Sequence, residues 1–175
     1  MGVKGKIAWR FMAEKIHAGT FKGLVQAIVA HSLEEYGDPV KVNALLKKLG
    51  RLSGEYIYTA YLAATKRPAR NLRDLVPTYN LGFKYFTGKE FDEITYEERD
   101  KDVYITYRIR DCPLCRGLHS PHPAIFMCNV LAGILEWIEE QRLEDWNAES
   151  VTCDETKCRA RGDPYCEVQF HFKLK

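Results

Sequence analysis

The C-terminal run CDETKCRARGDPYCEVQFHF, residues 153–172, constrains the fold more than any other part of the chain. Its second half alternates apolar and polar residues, the pattern of a strand with one buried face. The Gly-Asp-Pro sequence before it is typical of a tight turn, because glycine tolerates a positive φ and proline fixes its own φ. The run therefore predicts a β-hairpin with Cys158 and Cys166 flanking its turn. A disulfide, a metal ion or the turn alone could hold these side chains together.

The cellular compartment bears on that choice. The chain of 175 residues begins without the apolar segment and small-residue cleavage site of a secretory signal, and it has no run of apolar residues long enough to span a membrane. We therefore expect a cytoplasmic protein. Disulfides are rare in that compartment outside hyperthermophiles, which favours metal-binding or redox-active thiols. The six cysteines are Cys112, Cys115, Cys128, Cys153, Cys158 and Cys166.

The first half of the chain, residues 1–90, is predicted to be mainly helical. Apolar residues recur at helical spacing through the first 35 residues, with a break expected at Gly19 and Thr20. Asp38 followed by Pro39 is typical of a helix start, and a long amphipathic helix should follow it. The run from residue 71 to about residue 88 predicts another helix, interrupted at Pro77.

The second half, residues 91–175, changes to the periodicity of strands. KDVYITYRIRD alternates as a half-buried strand, and EFDEITYEER before it is a suitable antiparallel partner. AIFMCNVLAGILEWIEEQ is apolar on nearly all sides until Glu136, which is typical of a buried helix. With the terminal hairpin, this order predicts an α+β fold in which several helices pack against an antiparallel sheet. The length and ordinary composition predict a single domain over residues 1–175.

The spacing of potential ligands predicts either a zinc site or a plain buried cluster. Cys158 and Cys166 flank the turn, Glu155 lies three residues before Cys158, and Cys128 lies near the start of the predicted buried helix. Structural zinc takes four N, O or S ligands, and these four residues could supply a closed tetrahedral set. In the alternative, Cys128 is an apolar core residue and Glu155 is a solvated acid. Spacing alone leaves both interpretations open.

Two motifs resemble the 4-vinyl reductase domain family. Glu155-x-x-Cys158-x7-Cys166, enclosing CRARGDPYC, is similar to the C-terminal signature of that family, and CNVLAGILE from Cys128 resembles its preceding helix. The close match covers residues 124–172. In zinc-containing sensor domains of this family, a helix-start Cys and the same Glu-x-x-Cys-x7-Cys spacing hold the metal. The resemblance therefore implies Zn²⁺ bound by Cys128, Glu155, Cys158 and Cys166, although the segment between Cys128 and Glu155 is longer here.

Cys112 and Cys115, in DCPLCRGLHSPHP, depart from the pattern of those sensors. A Cys-Pro-x-Cys sequence after a strand resembles a glutaredoxin site, but the residues that follow are poor helix formers. A zinc ribbon would need a second close cysteine pair. We therefore expect a turn whose thiols share the main site, with His119 or His122 as further candidates, or bind a separate metal. Cys153 is expected to be a packed small residue.

Aromatic side chains suggest a ligand pocket. The resemblance implies a fold shared with subunits of the Golgi transport-particle (TRAPP) tether, in which a cavity between helices and sheet accepts a small hydrophobic molecule or acyl chain. An apolar pocket with a few tyrosine hydroxyls would suit an aromatic or lipid-like ligand. From the sequence we predict that Tyr56, Tyr104, Tyr107 and Trp137 line it.

The sequence as a whole predicts a zinc-stabilised binding module for a small hydrophobic ligand. No catalytic triad, phosphate loop, zincin motif or nucleotide-binding fingerprint is present, so we assign no catalytic residues. The net charge of +2 indicates no nucleic-acid partner. By analogy with the family we expect a homodimer, with the face carrying Gly50 and Gly54 as one possible contact, and an unknown signalling partner. The alternatives are a thiol redox protein or enzyme using Cys112 and Cys115, and a TRAPP-like adaptor with a vestigial cavity.

Overall fold

The computed structural model describes residues 3–64 and 69–175. These residues form four α-helices, four β-strands and a single 3₁₀ turn at Arg159–Arg161. In chain order the elements are α1 (Val3–Tyr36), α2 (Pro39–Ala64), α3 (Leu72–Thr87), β1 (Glu93–Arg99), β2 (Asp102–Ile109), α4 (Asn129–Glu140), β3 (Ala148–Lys157) and β4 (Cys166–Leu174). The strands form one antiparallel sheet in the order β1-β2-β4-β3. The predicted α+β fold is therefore confirmed.

The register of the sheet brings the cysteine-bearing segments to one end of the molecule. Ile109 at the end of β2 pairs with Cys166 at the start of β4, so the turn carrying Cys112 leaves the sheet beside the terminal hairpin. Farther along the same strands, Ile105 pairs with Phe170, and both side chains are fully buried. The alternation that predicted these strands thus corresponds to a buried face covered by α3 and α4.

Helices α2 and α4 pack with their backbones in direct contact. A Cβ atom added to Gly50 would lie 2.0 Å from the carbonyl oxygen of Val130, and one added to Gly133 would lie 2.0 Å from that of Lys47. Gly54 faces the ring of Trp137 in the same way. The small residues on α2 therefore serve packing within the chain, and the prediction that Gly50 and Gly54 face a second copy is wrong.

Buried charges reinforce this helix pair. Glu136 accepts the backbone N–H of Cys153 in β3 at 2.8 Å. The same carboxylate forms ion pairs with Lys47 at 2.7 Å and with Arg51 at 2.8 Å, both from α2. A buried carboxylate is tolerated when its oxygens are paired in this way. Glu136, which ends the apolar run in the sequence, thus ties α2, α4 and β3 together.

Two expected helix breaks are absent. Helix α1 continues through Gly19 and Thr20, both exposed, because a glycine in an exposed helix costs only about 1 kcal/mol. Helix α3 continues through Pro77, which also lies on an exposed face. Its N-terminus is capped by Asn71, and residues on its opposite face are buried, so packing outweighs the loss of one hydrogen bond at the proline. None of the described helices is long and apolar enough to cross a membrane.

Candidate metal centre and apolar cavity

Five of the six cysteines come together at one end of the sheet. Cys112 and Cys115 lie in the turn after β2, Cys128 caps the start of α4, and Cys158 and Cys166 flank the turn of the terminal hairpin. All five are buried. We call them, with Glu155, the thiol cluster.

The distances within the thiol cluster match a single tetrahedral ion better than a disulfide. The sulfurs of Cys115 and Cys158 are 3.6 Å apart, and those of Cys112 and Cys128 are 3.8 Å apart. A disulfide requires about 2.05 Å, whereas tetrahedral zinc with Zn–S bonds of about 2.3 Å places its sulfurs about 3.8 Å apart. The potential ligand atoms that all lie within 4.8 Å of one another belong to Cys115, Cys128, Glu155, Cys158 and Cys166.

Glu155 provides a second indication that a cation belongs in the cluster. Its Oε2 atom accepts the backbone N–H of Cys128 at 2.6 Å, but its Oε1 atom is buried without a hydrogen-bond partner. Burial, with the nearby Cys158 sulfur, raises the pKa of this carboxyl, and the Cys112 sulfur likewise raises the pKa of the Cys128 thiol. Packed acidic groups of this kind are costly unless a cation neutralises them. The residues present therefore fit a zinc ion.

The turn of the hairpin is shaped to present Cys158 and Cys166. Asp163 accepts the backbone N–H of Cys158 at 2.8 Å and pairs with Arg161 at 2.9 Å. Gly162 has a φ of +102°, a conformation that favours glycine. The backbone N–H of Arg159 donates to the Cys166 sulfur at 3.3 Å, a contact that stabilises a thiolate. The Gly-Asp-Pro sequence therefore positions the two sulfurs.

The segment before α4 is held extended rather than helical. The side-chain amide of Asn43 donates to the carbonyl of Ala124 at 2.7 Å, and its oxygen accepts the backbone N–H of Phe126 at 2.9 Å. The helix consequently begins at Asn129, later than the apolar run predicts, and Cys128 lies at its N-terminus beside Glu155. Asn43, in α2, is a supporting residue that the sequence analysis missed, because nothing in its local pattern marks it.

All four predicted metal ligands lie in the thiol cluster, and Cys115 joins them. Cys112 contacts Cys128 but is not one of the five residues whose ligand atoms are mutually close. His119 and His122 are likewise outside that group, and His122 instead accepts the backbone N–H of Ala124 at 3.1 Å. Cys153 is buried in β3 opposite Phe170, away from the cluster.

A cavity of about 250 Å³ lies beside the thiol cluster, between α3 and α4. Nearly all its lining is aliphatic or aromatic. The residues that line it are Ile57, Tyr79, Gly82, Phe83, Thr87, Phe91, Leu114, Val130, Leu131, Ile134, Leu135 and Ile138. Leu114 comes from the Cys112–Cys115 turn, so the cavity and the cluster share one segment of chain.

The two hydroxyl groups of the lining are engaged by the protein. Tyr79 donates to the buried carboxylate of Glu139, and Thr87 donates to the backbone carbonyl of Phe83 at 2.7 Å. The indole N–H of Trp146 donates to the other oxygen of Glu139 at 2.7 Å. Side chains of the cavity wall thus present apolar surface, with their polar atoms directed into protein hydrogen bonds.

The four residues predicted to line a pocket lie elsewhere. Tyr56 is 81% exposed, and Tyr104 stacks on His171 with ring centroids 4.6 Å apart. Trp137 packs against Gly54, while Tyr107 is buried and meets the Phe91 ring at 4.7 Å without itself lining the cavity. Aromatic content alone did not identify the lining, which depends on which faces of α3 and α4 turn toward each other.

The buried Glu139 leads to a prediction about pH. Burial raises the pKa of this carboxyl above its ordinary value, so the native state binds its proton more tightly than the unfolded chain does. The free energy of unfolding should therefore decrease as pH rises from about 4.3, the usual pKa of glutamate, toward the native pKa. In Glu139→Gln this contribution is removed, because the amide oxygen can accept from Trp146 while its NH₂ donates to Tyr79. Urea denaturation at several pH values should show a steeper decline for the wild type, and parallel curves would contradict the prediction.

Comparisons with known proteins agree with this architecture. Residues 105–172 match the family model of the 4-vinyl reductase domain, the family that the two sequence motifs resemble. Trafficking protein particle complex subunit 3 of Dictyostelium discoideum is 25% identical over 167 residues, which cover 89% of this chain and 83% of that protein.

Two solved structures have a similar fold. A crystal structure of trafficking protein particle complex subunit 3 from Naegleria fowleri, covalently bound to palmitic acid, superposes with a TM-score of 0.73 at 21% identity, covering 92% of this chain and 99% of the other. The phenol-responsive sensory domain of the transcription activator PoxR, with phenol, gives a TM-score of 0.54 at 11% identity and covers 87% and 74%. Residues 105–172 of this chain are therefore a domain of the 4-vinyl reductase family, and the fold of the chain is the one found in trafficking protein particle complex subunit 3.

Proposed function

We propose that the protein is a zinc-stabilised module that binds a small hydrophobic ligand without covalent attachment. The observation that carries the proposal is the apolar cavity, whose lining hydroxyls of Tyr79 and Thr87 are already hydrogen-bonded to the protein. We also propose that it acts in the cytoplasm, as a homodimer that passes any signal to a partner. The dimer contact must lie outside the Gly50 and Gly54 face, which is covered by α4.

The metal has a structural role in this proposal. Cys128, Cys158 and Cys166 hold zinc, and either Glu155 or Cys115 completes the set of four. Four protein ligands leave no open position, so the ion supplies cross-linking rather than chemistry. It joins the start of α4 to the terminal hairpin, and through Cys115 it would also join the turn after β2.

The size of the cavity indicates the class of ligand. An apolar cavity of about 150 Å³ accommodates benzene, and drug-sized ligands occupy about 300–1,000 Å³. A volume of about 250 Å³ therefore suits a compact aromatic hydrocarbon or a short aliphatic chain. Since the lining supplies no available side-chain donor or acceptor, any polar group of the ligand should lie at the opening.

The lining also argues against covalent attachment. The related Naegleria subunit carries covalently bound palmitic acid. Acylation requires a nucleophile, and cysteine, serine, lysine and histidine are absent from the described residues that line this cavity. The hydroxyl of Tyr79 contacts a carboxylate and that of Thr87 a backbone carbonyl. A ligand of this chain would thus be held by burial of apolar surface alone.

Filling the cavity should abolish ligand binding. Gly82 lies on the same face of α3 as Tyr79 and Phe83, so the side chain of Gly82→Leu should enter the cavity. The measurement is the affinity for the fluorescent apolar probe N-phenyl-1-naphthylamine, and we expect at least a tenfold loss, about 1.4 kcal/mol. The variant should remain folded, since it replaces a helical glycine.

The matched control is Leu81→Phe, which adds bulk to the same helix at an exposed position. Its affinity for the probe should equal that of the wild type. If the wild type does not bind the probe, and native mass spectrometry of the purified protein finds no apolar molecule, the binding-module proposal fails and a TRAPP-like adaptor becomes the better account.

The redox alternative receives less support. Cys112 and Cys115 are both buried, and their sulfurs face other members of the thiol cluster. Reactive thiols are normally accessible to solvent. A thiol-exchange assay tests this alternative: turnover of a disulfide substrate that disappears in Cys112→Ser while zinc remains bound would favour a redox protein.

A further inference from the structure

The turn after β2 belongs to two sites at once. Cys112 and Cys115 contribute sulfurs to the thiol cluster, while Leu114, between them, lines the apolar cavity. The turn is closed by two backbone hydrogen bonds, from Arg116 N to Cys112 O at 3.0 Å and from Leu118 N to Cys115 O at 2.9 Å. In so short and closely bonded a segment, the position of Leu114 depends on what holds its cysteine neighbours.

A second connection runs through the start of α4. Cys128 lies in the cluster, and Val130 and Leu131, in the next turn of chain, line the cavity. The cluster therefore adjoins the cavity through two separate segments. Of these, α4 is fixed independently by its contact with α2. The turn carrying Leu114 lacks a packed helix of its own and depends more on the cluster.

We propose that Cys115 supplies the fourth thiolate of the metal site and that metal and apolar ligand consequently bind cooperatively, with Leu114 as the link. This inference rests on the proposed function, because it requires both a bound metal and a cavity ligand. Its two parts, the identity of the fourth ligand and the coupling, are tested separately.

The geometry favours Cys115 over Glu155 as the fourth ligand. The Cys115 sulfur is 3.6 Å from that of Cys158, close to the edge of a zinc–thiolate tetrahedron. Structural zinc sites are built mainly from cysteine and histidine. Glu155 has another role available, since its Oε2 atom accepts the backbone N–H of Cys128 and so orients that cysteine. The resemblance to the sensor domains implies the carboxylate instead, so the two ligand sets are distinguishable.

X-ray absorption at the zinc edge counts the sulfur ligands directly. We expect four sulfurs at about 2.3 Å in the wild type and in Glu155→Gln, and three in Cys115→Ser. A wild-type site with three sulfurs and one oxygen, unchanged in Cys115→Ser, would overturn the assignment of Cys115. This outcome would leave the proposed zinc site itself intact.

The coupling is tested on the folded, metal-loaded protein with Leu114→Ala, which keeps every thiol. Zinc affinity is measured by competition with a chromophoric chelator, with and without saturating N-phenyl-1-naphthylamine. In the wild type the probe should raise zinc affinity by about tenfold, within the usual range of coupling between sites. In Leu114→Ala the effect should largely disappear while zinc stoichiometry remains that of the wild type.

The control is Leu118→Ala, in the same loop and half-buried but not in the cavity lining, which should retain the coupling. Linkage requires the reciprocal effect, so zinc should raise probe affinity by the same factor. If the wild type binds both zinc and the probe but neither alters the affinity of the other, the coupling is refuted and the proposed function stands. If the wild type binds no zinc, the inference and the zinc proposal both fail.

Discussion

Cys158→Ser is expected to lose the bound zinc and to lower the free energy of unfolding by more than about 4 kcal/mol, the range associated with loss of a metal. Cys158 is fully buried in the thiol cluster, where it contacts Cys115 and follows the strand that carries Glu155. Serine cannot replace a thiolate as a zinc ligand. Without the ion, the remaining acidic groups of the cluster would be buried without a neutralising charge, and three segments of chain would lose their common cross-link.

Metal analysis and chemical denaturation of the purified protein measure the two effects. We expect about one zinc per chain in the wild type, and a chelator should destabilise the wild type to nearly the stability of Cys158→Ser. In the variant the chelator should have little further effect. A structural metal binds the native state far more tightly than the unfolded chain, so the loss of zinc and the loss of stability should occur together.

Cys153→Ala is the matched control, because Cys153 is equally buried but lies in β3 outside the thiol cluster. It should retain zinc and lose only about 1 kcal/mol, the usual cost of a small change in a core. The zinc proposal would be refuted if freshly purified protein, never exposed to chelator, contained no metal. It would also be refuted if Cys158→Ser and Cys153→Ala were destabilised equally.

The sequence contains the hairpin and most of the cluster in local form. The alternation from Cys166 to Phe172 predicts both the strand and its buried face, and the x7 spacing places Cys158 and Cys166 on either side of one turn. These features depend on neighbours within about ten residues. Cys128 is distant in the chain, and the sequence brought it to the site only through a family resemblance.

The position of Cys115 and the lining of the cavity could not be predicted in the same way. Cys115 meets Cys158 because the antiparallel pairing of β2 and β4 brings the ends of distant segments together. The cavity depends on how α3 and α4 are rotated about their axes, which directs Phe83 and Ile134 into it. Tyrosines such as Tyr56 and Tyr104 appear equally suitable in the sequence, yet they lie on exposed or outer faces.

The second large effect is expected at the contact between α2 and α4. Gly50→Ala should lower the free energy of unfolding by more than about 3 kcal/mol, at the upper end of the cost of overpacking. Its Cβ atom would lie 2.0 Å from the carbonyl oxygen of Val130, so the helices must separate. This loss opposes the gain in helix propensity, about 1 kcal/mol for replacing glycine by alanine. Because Val130 also lines the cavity, ligand affinity should fall with stability.

The sign of the effect distinguishes packing from propensity. Gly23→Ala, in the described part of α1, is the matched control, because a Cβ atom there has no neighbouring atom within 4 Å. It should be neutral or stabilising in the same denaturation experiment, and a loss as large as that of Gly50→Ala would contradict the packing argument.

The double variant Gly50→Ala/Gly133→Ala provides a sharper test. The Cβ atom at Gly133 would lie 2.0 Å from the carbonyl oxygen of Lys47, so the two glycines form reciprocal contacts across the same helix pair. One separation of the helices relieves both clashes. The double variant should therefore lose less stability than the two single losses added together, with an interaction free energy of about 1 kcal/mol or more. Strict additivity would mean that each helix yields locally and that α2 and α4 do not move as rigid elements.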